Sequence, residues 1–211
     1  PEEHSETAFM TNRAMEFIEE SKNKPWFLHL SYIKPHWPYM APAPYHNMFS
    51  ANEFYPVHRN DAERTNDHPV YKAFMENSIS KTFSKDEVRN TVLAGYMGLI
   101  KQIDDNLGRL FKFLESSGHM DDTMIIFTSD HGDYQGDHWL GEKELFHEQS
   151  VRVPMIIYDP SDYANKTRGT KEERFIEAID LLPTFLDAIE SPASKHRLEG
   201  DSLMPLIKGE S

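Results

Sequence analysis

The sequence contains no cysteine and no long apolar run, and each absence excludes a class of protein. Without cysteine there is neither a disulfide framework nor a thiolate site, so the redox compartment cannot be read from the chain. No apolar stretch approaches the roughly 20 residues that a membrane-spanning helix needs. Basic residues are also scarce, because 22 Lys and Arg face 35 Asp and Glu, for a formal net charge of -13. That charge disfavours nucleic acid and anionic membranes as partners, and any anionic substrate must meet local positive charge.

The length and composition are those of one soluble globular domain, or of part of one. The chain has 211 residues, of which 38% are hydrophobic and 27% are charged. It begins at Pro1 without a basic and then apolar leader, and it stops abruptly after residues 208–211. We therefore expect a piece of a longer protein whose natural N-terminus is not present. The sequence leaves the compartment open, and we favour the cytoplasm over the periplasm.

The first part of the chain changes from a helical pattern to a strand-like one. Ser5 precedes apolar residues at helical spacing, which predicts an amphipathic helix ending near Ser21. Residues 26–33 are apolar and β-prone, which predicts a buried strand. Five prolines between residues 35 and 56 then forbid regular structure and favour an ordered loop. Residues 59–83 are polar and mixed, and we interpret them as an insertion over the sheet.

A long helix leads directly into the central segment of the chain. Ser84 and Glu87 have the spacing of a capping box, apolar residues follow at helical spacing, and Gly118 supplies the stop. Two short apolar runs, residues 124–127 and 153–158, predict buried strands on either side of a polar insert. Ligands bind beyond the carboxyl ends of strands in open α/β sheets, so the insert is the expected place for chemistry.

The rest of the chain continues this alternation more weakly. Residues 175–179 predict a short strand, and residues 180–189 predict a helix capped by Asp180. Helices that alternate with buried strands predict an α/β fold in which a mostly parallel sheet is sandwiched by helices.

Asp130 and His131 stand at the end of the first central strand and offer a carboxylate beside an imidazole. On a straight strand they face opposite ways, but Gly132 permits a turn that lets them converge. Oxygen and nitrogen ligands together suit Mn²⁺, Zn²⁺ or a site that accepts several divalent metal ions, more than they suit a site for Mg²⁺ alone. Two ligands are too few for a metal site, so further ligands must come from elsewhere. On spacing alone, an Asp-His pair that makes its hydrogen bonds within a turn is more common than one that binds a metal.

Other charged residues allow both a functional and a structural interpretation. Lys143 follows Gly141, and an ammonium near a metal-bound anion can neutralise charge on a transferred phosphoryl or sulfuryl group. His36 follows the predicted strand closely, although from position alone a loop histidine without a role is more common. Asp104 and Asp105 are neighbours on a helix and point about 100° apart, which favours salt bridges over a metal site.

Several motifs in sequence order resemble the sulfatase branch of the alkaline phosphatase superfamily. The matching stretches are residues 128–133 (TSDHGD), 136–138 (GDH), Lys143, 148–154 (EQSVRVP), 35–38 (PHWP) and 180–184 (DLLPT). The resemblance covers nearly the whole chain apart from residues 59–83. His131, where many sulfatases have asparagine, and residues 136–143 (GDHWLGEK) are similar to phosphonate monoester hydrolases and arylsulfatase-like enzymes of that branch.

This resemblance implies an alkaline phosphatase-like fold and a set of site residues. Asp130 and His131 would bind a divalent metal ion (Mn²⁺, Ca²⁺ or Zn²⁺), and Lys143 and His36 would contact the non-bridging oxygens or the leaving-group side of the ester. His138 is left between a supporting and a structural role, and His147 is expected to be structural. The family's C/S-x-P-x-R motif, the source of its formylglycine nucleophile, is absent from the chain. We therefore expect the nucleophile outside this chain.

The expected function is metal-dependent hydrolysis of sulfate or phosphonate/phosphate esters. Residues 1–211 would form the middle and C-terminal part of one sulfatase-type catalytic domain, without the nucleophile segment and the small C-terminal sheet, so that the isolated chain is inactive. The partner would be a small-molecule ester, with no nucleic acid and no membrane span, and a homo-oligomer is left open. The alternatives are a phosphomutase or phosphotransferase of the same superfamily and a non-catalytic binding domain.

Overall fold

The computed structural model describes residues 1–21, 24–50, 54–65, 68–193 and 196–210. They belong to two compact units. The first unit comprises Pro1–Ser117 and His131–Val153, and the second comprises Gly118–Asp130 and Pro154–Ser211. Among the helices in these described ranges, none has both the length and the apolar character that crossing a membrane requires.

The first unit is helical. Its α-helices are α1 (Glu6–Ser21), α2 (Pro69–Glu76), α3 (Ser78–Phe83), α4 (Asp86–Ser117) and α5 (Glu148–Val151). Short 3₁₀ turns occur at Glu2–His4, Tyr45–Asn47, Asp61–Thr65 and Asp137–Trp139. Helix α1 begins where predicted, because Ser5 Oγ accepts a hydrogen bond from Ala8 N at 3.1 Å. It packs on α4, and Gln102 of α4 donates to Ser5 Oγ at 2.6 Å.

The strand predicted at residues 26–33 is wrong. The segment has no regular secondary structure, although its side chains alternate between partly buried and exposed. A strand needs ladder hydrogen bonds from a neighbour, and the sheet in the described part of the chain does not include this segment. Side chains hold it on α1 instead: Tyr32 Oη lies 2.7 Å from Thr11 Oγ1, and Trp26 packs edge-to-face on Phe17.

Helix α4 ends as predicted but begins differently. Gly118 follows its last residue with a left-handed φ of 79°. At the other end, Ser84 Oγ donates to Ser80 O at 2.8 Å and does not form the predicted capping box. The proline-rich loop lies on this helix at two glycines. A Cβ atom added at Gly95 or Gly98 would lie 2.5 Å from a loop carbonyl oxygen, of Tyr39 or Tyr45 respectively, so only glycine allows this approach.

The second unit contains the sheet. Strands β1 (Ile125–Thr128) and β2 (Met155–Tyr158) pair antiparallel, with Ile125 opposite Tyr158 and Thr128 opposite Met155. The prediction of mostly parallel pairing is therefore wrong for these two strands. The intervening chain returns directly beside β1 and does not cross over through a long helix, and a direct return produces an antiparallel pair.

The remainder of the second unit is made of short helices. These are α6 (Leu181–Ala188), α7 (Met204–Ile207) and 3₁₀ turns at His119–Asp121, Asp162–Lys166 and Ala178–Asp180. Ala164, Met204 and Ile207 form a small core against Met124 and Ile157. The strand predicted at residues 175–179 is wrong, because Glu177 and Asp180 form a capping box that starts a 3₁₀ turn there. Asp180 thus caps this turn and makes no side-chain cap to α6.

Candidate active site

His36 and Lys143 meet in the first unit although they come from distant parts of the chain. The Lys143 ammonium donates to His36 Nε2 at 2.8 Å. The other ring nitrogen of His36, Nδ1, donates to the carbonyl of Trp37 at 3.1 Å. Because Nδ1 carries the proton in this arrangement, Nε2 offers its lone pair to the ammonium. The loop itself is braced by Lys34, whose Nζ donates to the carbonyls of His36 and Pro38.

His131 lies beside this pair. Its ring centroid is 6.1 Å from that of His36, in an edge-on arrangement. Nδ1 of His131 is 2.7 Å from the carbonyl oxygen of Gly132, and such a bond orients a histidine for binding through Nε2. Gly132 N donates to Ser150 O at 2.7 Å. A Cβ at Gly132 would lie 2.0 Å from Gln149 O, so this close backbone approach requires glycine.

Asp130 ends the segment Gly118–Asp130 of the second unit, two residues beyond β1. The end of β1 is held by Thr128, whose Oγ1 donates to Pro154 O at 2.9 Å. Ser129 Oγ donates to Asp130 Oδ1 at 3.4 Å. Strand β1 therefore delivers the predicted carboxylate ligand, and the next residue in the chain is His131.

The donor chemistry of Asp130 and His131 fits a divalent cation. A carboxylate and an imidazole suit Mn²⁺ or Zn²⁺ better than Ca²⁺, which prefers oxygen ligands. Within the ranges that the structure describes, no three or more His, Asp or Glu side chains are grouped so that they could hold a metal.

A half-buried pair that the sequence motifs did not single out lies near Lys143. Tyr39 Oη donates to Asp133 Oδ2 at 2.8 Å, and Gln135 N donates to the other carboxylate oxygen at 3.0 Å. Burial raises the pKa of Asp133, while these two hydrogen bonds and the Lys143 charge act in the opposite direction. Burial and the Asp133 charge together raise the pKa of Tyr39. Asp133 lies within the TSDHGD run, so the motif contained the signal that could have identified it.

His138 and His147 form a stacked pair. Their ring centroids are 4.2 Å apart and the rings are nearly parallel. His138 Nδ1 donates to Glu63 Oε1 at 2.7 Å, and Tyr134 Oη lies 2.8 Å from His147 Nδ1. Burial, followed by the neighbouring His138, lowers the pKa of His147. These contacts give both histidines a packing role in this segment.

Residues 59–65, the first part of the predicted insertion, dock on the segment that precedes Lys143. Arg59 Nε donates to Gly136 O at 2.7 Å, and Trp139 Nε1 donates to Asn60 O at 2.9 Å. The segment needs this support because His138 and Trp139 have left-handed φ values of 54° and 63°. Such conformations are costly for residues other than glycine and persist only where neighbouring contacts impose them.

The acidic pair of α4 forms salt bridges, as predicted. Lys101 Nζ lies 3.0 Å from Asp104 Oδ2 and 2.6 Å from Asp105 Oδ1. Asp105 also accepts a hydrogen bond from Tyr45 at 3.0 Å. Burial, followed by this bond, raises the pKa of Tyr45 to about 12. Tyr45 therefore anchors the proline-rich loop on the helix.

Comparison with known proteins identifies the family. The sulfatase family model matches residues 2–191. The chain belongs to the sulfatase family. It is 39% identical to the multifunctional alkaline phosphatase superfamily protein PehA of Trinickia caryophylli over 98% of this chain and 42% of that protein. It is 32% identical to an arylsulfatase of Clostridium perfringens over 96% of this chain and 42% of that protein.

Two solved structures extend this result to the fold. The phosphonate monoester hydrolase SpPMH of Silicibacter pomeroyi aligns with a TM-score of 0.90 and 32% identity, over 100% of this chain and 42% of that one. The phosphonate monoester hydrolase of Agrobacterium radiobacter aligns with a TM-score of 0.91 and 32% identity, over 100% of this chain and 43% of that one. The predicted resemblance and the alkaline phosphatase-like α/β fold, as a partial domain, are confirmed. The chain spans less than half the length of these relatives.

Proposed function

We propose that this chain forms one wall of the active site of a hydrolase that cleaves sulfate or phosphonate/phosphate esters. The observation that carries the proposal is the contact of Lys143 Nζ with His36 Nε2 at 2.8 Å, beside His131. In a chain with a formal net charge of -13, an anionic ester must find positive charge locally, and the Lys143 ammonium supplies such a charge. Membership of the sulfatase family and the names of the relatives support ester hydrolysis.

Each residue has a distinct role in this proposal. Lys143 donates to a non-bridging oxygen of the ester and stabilises the negative charge that increases in the transition state. His36 accepts a hydrogen bond from the ammonium at Nε2, so it orients Lys143 toward the non-bridging oxygens or the leaving-group side of the ester. Asp133 lies near the ammonium as a counter-charge that keeps Lys143 compatible with its partly buried surroundings.

Asp130 and His131 are the residues that would hold the metal ion. A divalent ion supplies Lewis-acid stabilisation of charge on the ester oxygens. The bond between His131 Nδ1 and Gly132 O would keep the ring oriented toward the ion.

We further propose that the chain acts within a longer protein. It spans 42% of PehA and contains no C/S-x-P-x-R motif, so the remaining ligands and the formylglycine nucleophile would be supplied by the rest of the parent. Residues 1–211 would then be the middle and later part of one catalytic domain. The isolated chain would be inactive.

Metal content and turnover of the full-length parent test this proposal together. The purified protein is assayed on an aryl phosphonate, a phosphodiester and an aryl sulfate, before and after dialysis against a chelator. We expect turnover of at least one ester, its loss on metal removal, and reduced metal content in Asp130→Ala and His131→Ala. His46→Ala, at an exposed histidine of the proline-rich loop, is the matched control and should keep its metal. Turnover that survives complete metal removal, or turnover by the isolated chain, would contradict the proposal.

A further inference from the structure

Ser150 links the segment that carries His131 to the segment that carries Lys143. Its carbonyl accepts the N–H of Gly132 at 2.7 Å, next to His131. Its hydroxyl donates to the carbonyl of Lys143 at 2.5 Å. The residue lies in the short helix α5 and is only 4% exposed. Ser150 thus contacts the backbone of both functional segments, one through its carbonyl and the other through its hydroxyl.

The hydroxyl contact fixes the backbone position of Lys143. Backbone position determines where a long side chain can place its ammonium, and the Lys143 carbonyl is held by a buried hydroxyl that water cannot easily replace. On the other side, Ser150 N donates to His147 O at 2.9 Å, so the serine is itself fixed within its turn. The contact is therefore a rigid connection between α5 and Lys143.

We propose that Ser150 is a positioning residue that sets the Lys143 ammonium against the substrate. The inference rests on the proposed role of Lys143. A misplacement of about 1 Å at a catalytic group can lower turnover by about 100-fold, so loss of the hydroxyl should act on kcat more than on KM. Ser150 itself touches neither the substrate nor the reacting atoms.

A double-mutant cycle on the full-length parent tests the inference. Ser150→Ala should lower kcat/KM by about 10- to 100-fold, mostly through kcat. In the Lys143→Ala background the same change should alter kcat/KM by less than about twofold, because the ammonium through which Ser150 acts is absent. Thr11→Val removes another buried hydroxyl, in α1, which bonds Thr7 O and Tyr32 Oη, and this change should leave kcat unchanged.

The outcomes separate the inference from the function on which it rests. If Lys143→Ala has no effect, the proposed function of Lys143 is wrong. If Lys143→Ala is damaging but Ser150→Ala is harmless, or equally damaging in both backgrounds, the positioning role is wrong. Should Ser150→Ala fail to fold, Ser150→Cys keeps a similar volume with a much weaker donor, and the same cycle applies with the same two contrary results.

Discussion

The Lys143 ammonium lies 2.8 Å from Nε2 of His36, across a sequence separation of 107 residues. Two separate features make this contact. The proline-rich loop is seated on α4 at Gly95 and Gly98, which places His36. The turn around Ser150 holds the backbone of Lys143. The contact, its supports and its surroundings can each be tested in the full-length parent.

Removal of the His36 imidazole should reduce turnover. In His36→Ala, Lys143 loses the acceptor that orients its ammonium, so we expect kcat/KM to fall by about 100-fold or more. His46→Ala, in the same loop but with its side chain exposed, should stay within about twofold of wild type, as a surface change away from special features usually does. Equal activities of the two variants would remove His36 from the site.

A methyl group at Gly132 should damage both stability and activity. The new Cβ in Gly132→Ala would meet Gln149 O at 2.0 Å and strain the backbone bond to Ser150. We expect a loss of about 1–3 kcal/mol in the free energy of unfolding, the usual range for overpacking. Denaturant titration checks this value.

The matched control for Gly132 should change stability in the opposite direction. A Cβ at Gly108 meets nothing within 4 Å, and this residue lies in the interior of α4. Gly108→Ala should therefore add about 0.5–1 kcal/mol through helix propensity. Unchanged stability of Gly132→Ala, with Gly108→Ala behaving as expected, would show that the close approach at Gly132 is not needed.

Loss of the Tyr39 hydroxyl should destabilise the half-buried Asp133 carboxylate. Tyr39→Phe keeps the ring but removes the 2.8 Å bond, and the loss of one donor to this half-buried carboxylate should cost about 1–3 kcal/mol. Tyr55→Phe removes a hydroxyl from a ring that is 91% exposed and should be neutral. The two variants are compared by their midpoints of thermal unfolding. Equal midpoints would show that the Tyr39–Asp133 hydrogen bond does not stabilise the fold.

Stability should fall in mild acid because of His147. Burial and the stacked His138 lower its pKa below the ordinary 6.5, so the unfolded chain binds a proton more readily than the folded one. The resulting stability is present above the ordinary pKa and is lost as the pH falls from there through the folded pKa. The other titratable or charged groups near His147 are Glu63, Tyr71, Tyr134 and Glu148, with His58 against His138.

Replacement of His147 by asparagine isolates this pH dependence. In His147→Asn, Oδ1 can take the place of Nδ1 as the acceptor for Tyr134, but the side chain no longer titrates. The midpoint of thermal unfolding should therefore fall less between pH 7 and pH 5 in the variant than in wild type. If the midpoint of thermal unfolding changed with pH in the same way in both proteins, His147 would not be the group responsible.

Local signals predicted the helices well. The amphipathic spacing after Ser5 and the glycine stop at Gly118 each act within a few residues, so α1 and the end of α4 follow from the sequence. The prediction of a strand at residues 26–33 was wrong because strand formation does not depend on local signals alone. The composition of this segment suits a strand, but strand structure depends on a neighbour that composition cannot reveal.

The site was predicted mainly by the ordered motifs, and its internal contacts were not. Resemblance pointed to His36 and Lys143 as site residues, but nothing in the chain indicated that they touch. The bond between Tyr39 and Asp133 joins residues 94 positions apart, and no local pattern encodes such a pairing. The antiparallel direction of β2 likewise depends on how the polar insert returns, which apolar runs do not specify.

The most direct test of the central claim compares two lysine variants of the full-length parent. Lys143→Ala should lower kcat/KM on the best ester substrate by about 100-fold or more, because the charge of the transition state loses its cation. Lys101→Ala removes a lysine that pairs with Asp104 and Asp105 on α4 and should remain within about twofold of wild type. With both variants folded, wild-type turnover by Lys143→Ala would contradict the account.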